Sequence, residues 1–221
     1  RRHRHRTTAS ALRDLPARLV LSGTTCDDAR EHATALAAED RSRLVSAANE
    51  PLLVAGVATA YLELLADAPD LDVLVVPVGG GSGAAAACLV AQALAPGLEV
   101  VAVQSAASPA AHDSWRARDL VARPNTSRAE GLATGTGFAL TQAVLREHLD
   151  DFVLVDDDTI DRAAALYLTA ARTVAEGAGA AALAAVLADP DRFAGRRVGV
   201  VCSGGNASPA ELRRVSAHLP R

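Results

Sequence analysis

The sequence contains no lysine; all 22 basic side chains among its 221 residues are arginine. Lysine is one of the commonest residues of globular proteins, and any chemistry that needs a lysine Schiff base has no side chain here to carry it. Methionine is missing too, even at position 1, so the sequence is expected to be an incomplete translation product. Alanine and arginine in place of lysine fit GC-rich coding, which explains a bias better than it explains a missing catalytic residue. Nor does any apolar run approach the ~20 residues of a membrane span, and Arg1 to Arg6 lead into no apolar segment of the secretory kind.

Other totals narrow the class further. A net charge of −4 and a sequence pI near 5.9 argue against nucleic acid or an anionic membrane as the main partner. Three cysteines, Cys26, Cys88 and Cys202, are odd in number and far apart. That fits a reducing compartment better than a disulfide framework, so a cytoplasmic location is expected. With 50% hydrophobic and 22% charged residues the chain has the makings of a globular core. The histidines are scattered, without ligand spacing, and no metal site is indicated.

Along the chain, a basic aperiodic opening precedes Arg18–Leu21 and Arg43–Ser46, two short apolar runs read as strands flanking a helix over Asp27–Ala38 with Thr25 as its N-cap. Asn49 is placed to cap the next helix, with Pro51 in its first turn and Leu52, Leu53, Val57, Tyr61, Leu64 and Leu65 on one face. The β-branched run from Asp72 to Val78 reads as a strand buried on both faces. A glycine turn then opens an alanine-rich helix to Leu94. Strands at Glu99–Gln104, Phe152–Val155 and Arg197–Cys202 alternate with helices at Phe138–His148, Asp158–Glu176 and Ala180–Leu187. A last helix begins near Ser208-Pro209. This alternation predicts an open, mostly parallel α/β sheet flanked by helices.

Two turns stand out chemically. Residues 78–83, VGGGSG, empty a buried strand into a helix, where close-approaching backbone N–H groups and the helix N-terminus make an anion site. A tight turn needing glycine dihedrals is the plainer reading. Gly79-x-Gly81-x-x-Ala84 also satisfies the dinucleotide fingerprint in form, but the acid it requires at the end of the next strand is Gln104, with Glu99 at that strand's start instead. The second turn, Cys202-Ser203-Gly204-Gly205-Asn206, also follows a buried strand, so both turns belong to the strands' carboxyl edge. Ser203 presents a neutral hydroxyl there, or merely stabilises its turn. Glu176, before two glycines, is either an inward acid or a surface carboxylate, and Cys202 reads as a small core residue.

Together these segments resemble the serine/threonine dehydratase (threonine ammonia-lyase) family of pyridoxal-phosphate enzymes of fold type II, the tryptophan synthase beta-like fold. The carrying stretches are DLDVLVVPVGGGSG (70–83), AEGLA (129–133), DDFVLVDDDTI (150–160), VAEGAGAAALAA (174–185) and VCSGGN (201–206). The resemblance implies that Gly79, Gly80, Gly81, Ser82 and Gly83 hold the phosphate of pyridoxal 5'-phosphate, that Ser203 hydrogen-bonds the pyridine nitrogen, and that Glu176 lines the ring side of the pocket in a supporting role. It implies dehydration and deamination of a β-hydroxy amino acid, threonine or serine, to a 2-keto acid and ammonia, and a homo-oligomer, a dimer, in the full-length form.

The departures matter equally. The family's Ser-x-Lys-x-Arg and Ser-x-Gly-Asn-His motifs have no counterpart here, so the chain is expected to be truncated at its N-terminus and inactive alone. Relatives that bind a divalent cation carry Glu and Asp where this chain has Gln104 and Ala110, and no metal is carried over. Nothing after the SGGN turn resembles a regulatory domain, so feedback control by isoleucine is not expected. The expected organisation is residues 1–48 as the remainder of a small α/β domain and 49–221 as most of a large cofactor-binding domain. A non-catalytic remnant that partners a full-length paralogue is the alternative; an NAD-dependent Rossmann enzyme is a weaker one.

Overall fold

The computed structural model describes residues 15–219; most of the basic opening lies outside them. Two compact units meet in the sequence at Val45 and Ser46. In the first, helix α1 (Cys26–Glu39) starts where expected, because Thr25 Oγ1 accepts the Asp28 N–H at 3.1 Å while the Asp28 carboxylate accepts the Thr25 N–H at 2.9 Å. The strands expected at Arg18–Leu21 and Arg43–Ser46 do not form, and Leu21, Leu44 and Val45 are exposed. Such short apolar runs hold an extended ladder only with a partner strand, and none pairs with them among the described residues.

From Ser46 onward the chain builds a parallel sheet. After α2 (Pro51–Asp67) come β1 (Val73–Pro77), α3 (Ser82–Leu94), β2 (Glu99–Ser105), α4 (Ala110–Ala117), a 3-10 turn at Glu130–Leu132 and α5 (Ala139–His148). Then follow β3 (Asp151–Val155), α6 (Asp157–Ala170), α7 (Gly177–Ala188), α8 (Pro190–Phe193), β4 (Val198–Val200) and α9 (Pro209–Ser216). Among the described residues the strand order is β3-β2-β1-β4, every pairing parallel.

The strands alternate their side chains between two cores. Leu74, Val76, Val100, Ala102 and Phe152 meet α2, α3 and α5 on one face; Val73, Val75, Val101, Val103 and Val155 meet α6 and α7 on the other. Both faces are covered, which is why these strands read as unbroken apolar runs. Eight of the 12 residues of α7 are buried, and all eight are Ala or Gly. Small side chains let this helix lie close against sheet and neighbour at once.

Four local expectations need correction. The α2 cap is Glu50, whose carboxylate accepts the Leu52 N–H at 3.3 Å, while Asn49 accepts the Leu140 N–H at 3.1 Å. The buried face of α2 is Val54, Tyr61 and Leu65, and Leu52 and Leu53 are exposed. The helix expected over Asp158–Glu176 ends at Ala170, and Glu176 instead occupies the N-cap position of α7. Finally, Cys202 is exposed, not a core residue, because β4 is an edge strand among the described residues.

Candidate functional site

β2 and β3 lie to one side of β1, and β4 lies to the other. The chain leaving β1 enters α3 on one face, whereas the last helix, α9, contributes Val215 to the core on the opposite face. Strand order therefore reverses between β1 and β4, and the crevice at their carboxyl ends is where open α/β sheets bind ligands. Pro77 helps to open it. The Val78 N–H reaches Val103 O on β2 at 2.8 Å, so the preceding nitrogen, Pro77's, faces the β4 side and has no proton to give. The ladder to β4 stops just before it, at Val201 N to Val75 O, 3.1 Å.

The glycine loop fills the β1 side of this crevice. Gly81 is the N-cap of α3 with φ +92, a conformation that favours glycine, and no side chain caps the helix. Its first N–H groups are left to the crevice, and the positive end of the helix dipole adds to them. A Cβ on Gly79 would lie 2.1 Å from the carbonyl oxygen of Gly131, so the loop packs directly on the AEGLA segment. That segment in turn touches α7, since a Cβ on Gly131 would lie 2.7 Å from Ala178 Cβ.

The β4 side is built around Glu176 and the SGGN turn. The Glu176 N–H donates to Gly204 O at 3.1 Å, and its carboxylate lies against Gly204, where a Cβ would come within 2.1 Å of Oε1. Burial, reinforced by the neighbouring carboxylates of Glu211 and Glu130, pushes the Glu176 carboxyl above the ordinary glutamate range. It therefore keeps its proton to a higher pH than a solvated glutamate. Glu211, from α9, caps α7 by accepting the Gly177 N–H at 2.6 Å. Ser203 is exposed at the end of β4, and its hydroxyl makes no hydrogen bond among the described residues. This cap reaches across more than thirty residues, so no local spacing marks it.

Gln104 is fully buried and works as a structural bridge. Its Oε1 accepts the N–H groups of Ala111 and His112, both at 3.1 Å, capping α4, while Nε2 donates to Leu132 O at 3.4 Å. Glu99 sits at the opposite, amino edge of the sheet. Burial opposes its ionisation, but hydrogen bonds from Arg196 and Arg192 outweigh that and hold its carboxyl below the usual range. Neither residue is placed to hold a ribose.

A buried ion cluster fixes the AEGLA segment from behind. Asp161, only 4% exposed, accepts from Arg128 at 3.1 Å and from Arg214 at 3.3 Å. Asp157 accepts from Ser105, Ser127 and the Arg128 N–H. Asp161→Ala removes the carboxylate that Arg128 and Arg214 share; both guanidinium groups stay partly solvated, and Arg128 keeps its pair with Asp158. A loss of about 2 kcal/mol is expected, below the about 3–5 kcal/mol of fully buried pairs. Urea unfolding of the variant beside the parent measures it.

A family model described as "Pyridoxal-phosphate dependent enzyme" matches residues 2–204. The chain is 34% identical over 206 residues to the L-threonine ammonia-lyase of Thermotoga maritima, covering 92% of this chain and 51% of that protein. It is 33% identical over 177 residues to the beta-hydroxyaspartate dehydratase of Paracoccus denitrificans, covering 79% and 56% respectively. Among solved structures, the processed form of threonine deaminase isoform 2 from Solanum lycopersicum superposes with TM-score 0.89 at 25% identity, covering 96% of this chain and 63% of that one. The chain thus spans about half the length of the curated relatives it matches. No helix among the described residues is long and apolar enough to cross a membrane.

Proposed function

This chain belongs to the family of pyridoxal-phosphate dependent enzymes, and from that premise we propose that it forms the phosphate- and ring-holding part of an ammonia-lyase acting on a β-hydroxy amino acid. Threonine and serine are the proposed substrates, with a 2-keto acid and ammonia as products. The observation that carries the reading is the uncapped N-terminus of α3 behind the Gly79–Gly81 turn, at the point where strand order reverses. Backbone N–H groups and a helix dipole suit a phosphate and call for no charged side chain. The names of the relatives support the substrate class, since threonine and β-hydroxyaspartate are both β-hydroxy amino acids.

Each part of the crevice then has a task. Pyridoxal phosphate, when bound, supplies the electron sink that weakens the substrate's α C–H bond. Gly79, Gly80, Gly81, Ser82 and Gly83 hold the phosphate, with the Ser82 hydroxyl as an added donor at the first residue of α3. Ser203, whose hydroxyl makes no hydrogen bond among the described residues, offers it to the ring nitrogen. A neutral hydroxyl leaves that nitrogen largely unprotonated, which favours elimination over transamination. Glu176, whose carboxyl burial pushes above the ordinary glutamate range, lines the ring side in a supporting role. A dinucleotide reading is disfavoured, since Gln104 is spent on capping α4.

Calorimetry with pyridoxal phosphate and with pyridoxal tests this. The chain is expected to bind the phosphorylated compound and to show little affinity for pyridoxal. Gly80→Leu places a Cβ 2.9 Å from Ala48 Cβ and a bulky group in the loop. Its affinity for pyridoxal phosphate is expected to fall at least about tenfold, the worth of one charge-assisted hydrogen bond. Equal binding of both compounds, or an unaffected variant, returns the loop to the role of a tight turn.

A further inference from the structure

Two threonines outside the glycine loop hold its carbonyl oxygens. Thr141, at 1% exposure on α5, donates its hydroxyl to Gly80 O at 2.7 Å, with Phe138 O a longer alternative at 3.3 Å. Thr134 donates its hydroxyl to Gly79 O at 3.3 Å. The loop needs such support. Glycine peptides rotate at little steric cost, and a half-turn of either peptide exchanges an N–H for a carbonyl oxygen. A carbonyl oxygen turned into an anion cradle repels the anion it is meant to hold.

We propose that Thr141 and Thr134 are positioning residues that lock the peptides between Gly80 and Gly81 and between Gly79 and Gly80, and so fix the direction of two of the phosphate-binding N–H groups. The argument is one of covalent geometry. A trans peptide is planar, with its C=O and N–H pointing opposite ways. Holding Gly80 O on the Thr141 hydroxyl therefore turns the Gly81 N–H to the side away from Thr141. Holding Gly79 O on Thr134 does the same for the Gly80 N–H. Gly81 also packs closely here, since a Cβ on it would lie 3.0 Å from Thr141 Oγ1, so the threonine sets both the conformation and the orientation of the turn. The shorter bond and the deeper burial make Thr141 the stronger of the two locks.

This inference rests on the phosphate reading of the loop, and its test separates the two. Inorganic phosphate is titrated into the parent chain and into Thr141→Val, Thr141→Ser and Thr134→Val, with affinity read by calorimetry and the Gly80 and Gly81 amides by 1H–15N correlation. Thermal unfolding without phosphate reports stability separately. Valine keeps the shape of threonine and removes the donor. Thr141→Val is expected to bind phosphate roughly tenfold more weakly and to lose the phosphate response of the Gly81 amide. Thr141→Ser is expected to restore both, and Thr134→Val to blunt the Gly80 response with a smaller loss of affinity. A parent chain that binds no phosphate overturns the phosphate assignment itself. A parent that binds, with Thr141→Val equal to it in affinity and amide response, overturns the positioning role alone. So does a serine variant as weak as the valine one. Should Thr141→Val not fold, Thr134→Val decides: an unchanged Gly80 amide response overturns the proposal.

Discussion

Borohydride treatment of this chain in the presence of pyridoxal phosphate is expected to fix no cofactor on any side chain. The reaction requires a primary amine that is unprotonated for part of the time. All 22 basic side chains here are arginine, whose guanidinium stays charged above pH 12 and offers no primary amine of that kind. Apart from a terminal α-amine, no group in the sequence qualifies. Peptide mass mapping after reduction gives the measurement: the Gly79–Gly83 and Ser203 peptides are expected at their unmodified masses, while the same protocol on a lysine-bearing relative yields a stoichiometric adduct. An adduct on an internal peptide of this chain sinks the reading. Binding without covalent capture is the behaviour expected if the loop retains the phosphate and the amine must come from residues outside this sequence.

The interior strands were legible because one physical cause shapes both sequence and structure. A strand covered on both faces needs apolar residues at every position, and Val73–Val76 and Val100–Val103 meet that requirement. Helix starts marked locally were equally plain, as at Thr25 and at Ser208-Pro209. What failed depended on partners far away in sequence. Arg18–Leu21 and Arg43–Ser46 carry the composition of strands but pair with none among the described residues. Helix α4 went unread because its N-terminus is capped from Gln104 on β2 and its own residues include few large apolar groups.

The same division runs through the site. The five motifs are visible as strings, and their convergence follows from strand order; the strings do not reveal that Gly131 must approach Gly79, or Glu176 approach Gly204, to within one missing side chain. Glu176 shows the limit most clearly. It reads as the last residue of a helix running from Asp158, yet the break after Ala170 makes it the N-cap of a new one, and only that places its carboxylate against the SGGN turn. Thr134 and Thr141 carry no motif, and nothing local marks the reach of Glu211 to the Gly177 N–H. They act on backbone atoms, which leave no trace in the sequence.

Co-expression of this chain with the amino-terminal portion of a lysine-bearing relative is expected to turn a preparation with no ammonia release from threonine or serine into one with measurable turnover. The two pieces bring different chemistry: the crevice between β1 and β4 offers phosphate and ring contacts, and the added portion offers the amine. Assembly places amine, cofactor and substrate in one site, and effective concentration then supplies the rate. The informative readout is Ser203 in the reconstituted enzyme. Ser203→Ala removes the hydroxyl proposed for the ring nitrogen, and turnover is expected to fall at least tenfold, about 1.4 kcal/mol of barrier. Ser203→Asp offers a carboxylate instead, favours a protonated ring, and is expected to shift products from elimination toward transamination. Ammonia release with both variants equal to the parent removes Ser203 from the ring contact. Persistent absence of turnover, with the two pieces shown by sedimentation to be assembled, favours a non-catalytic cofactor-binding chain.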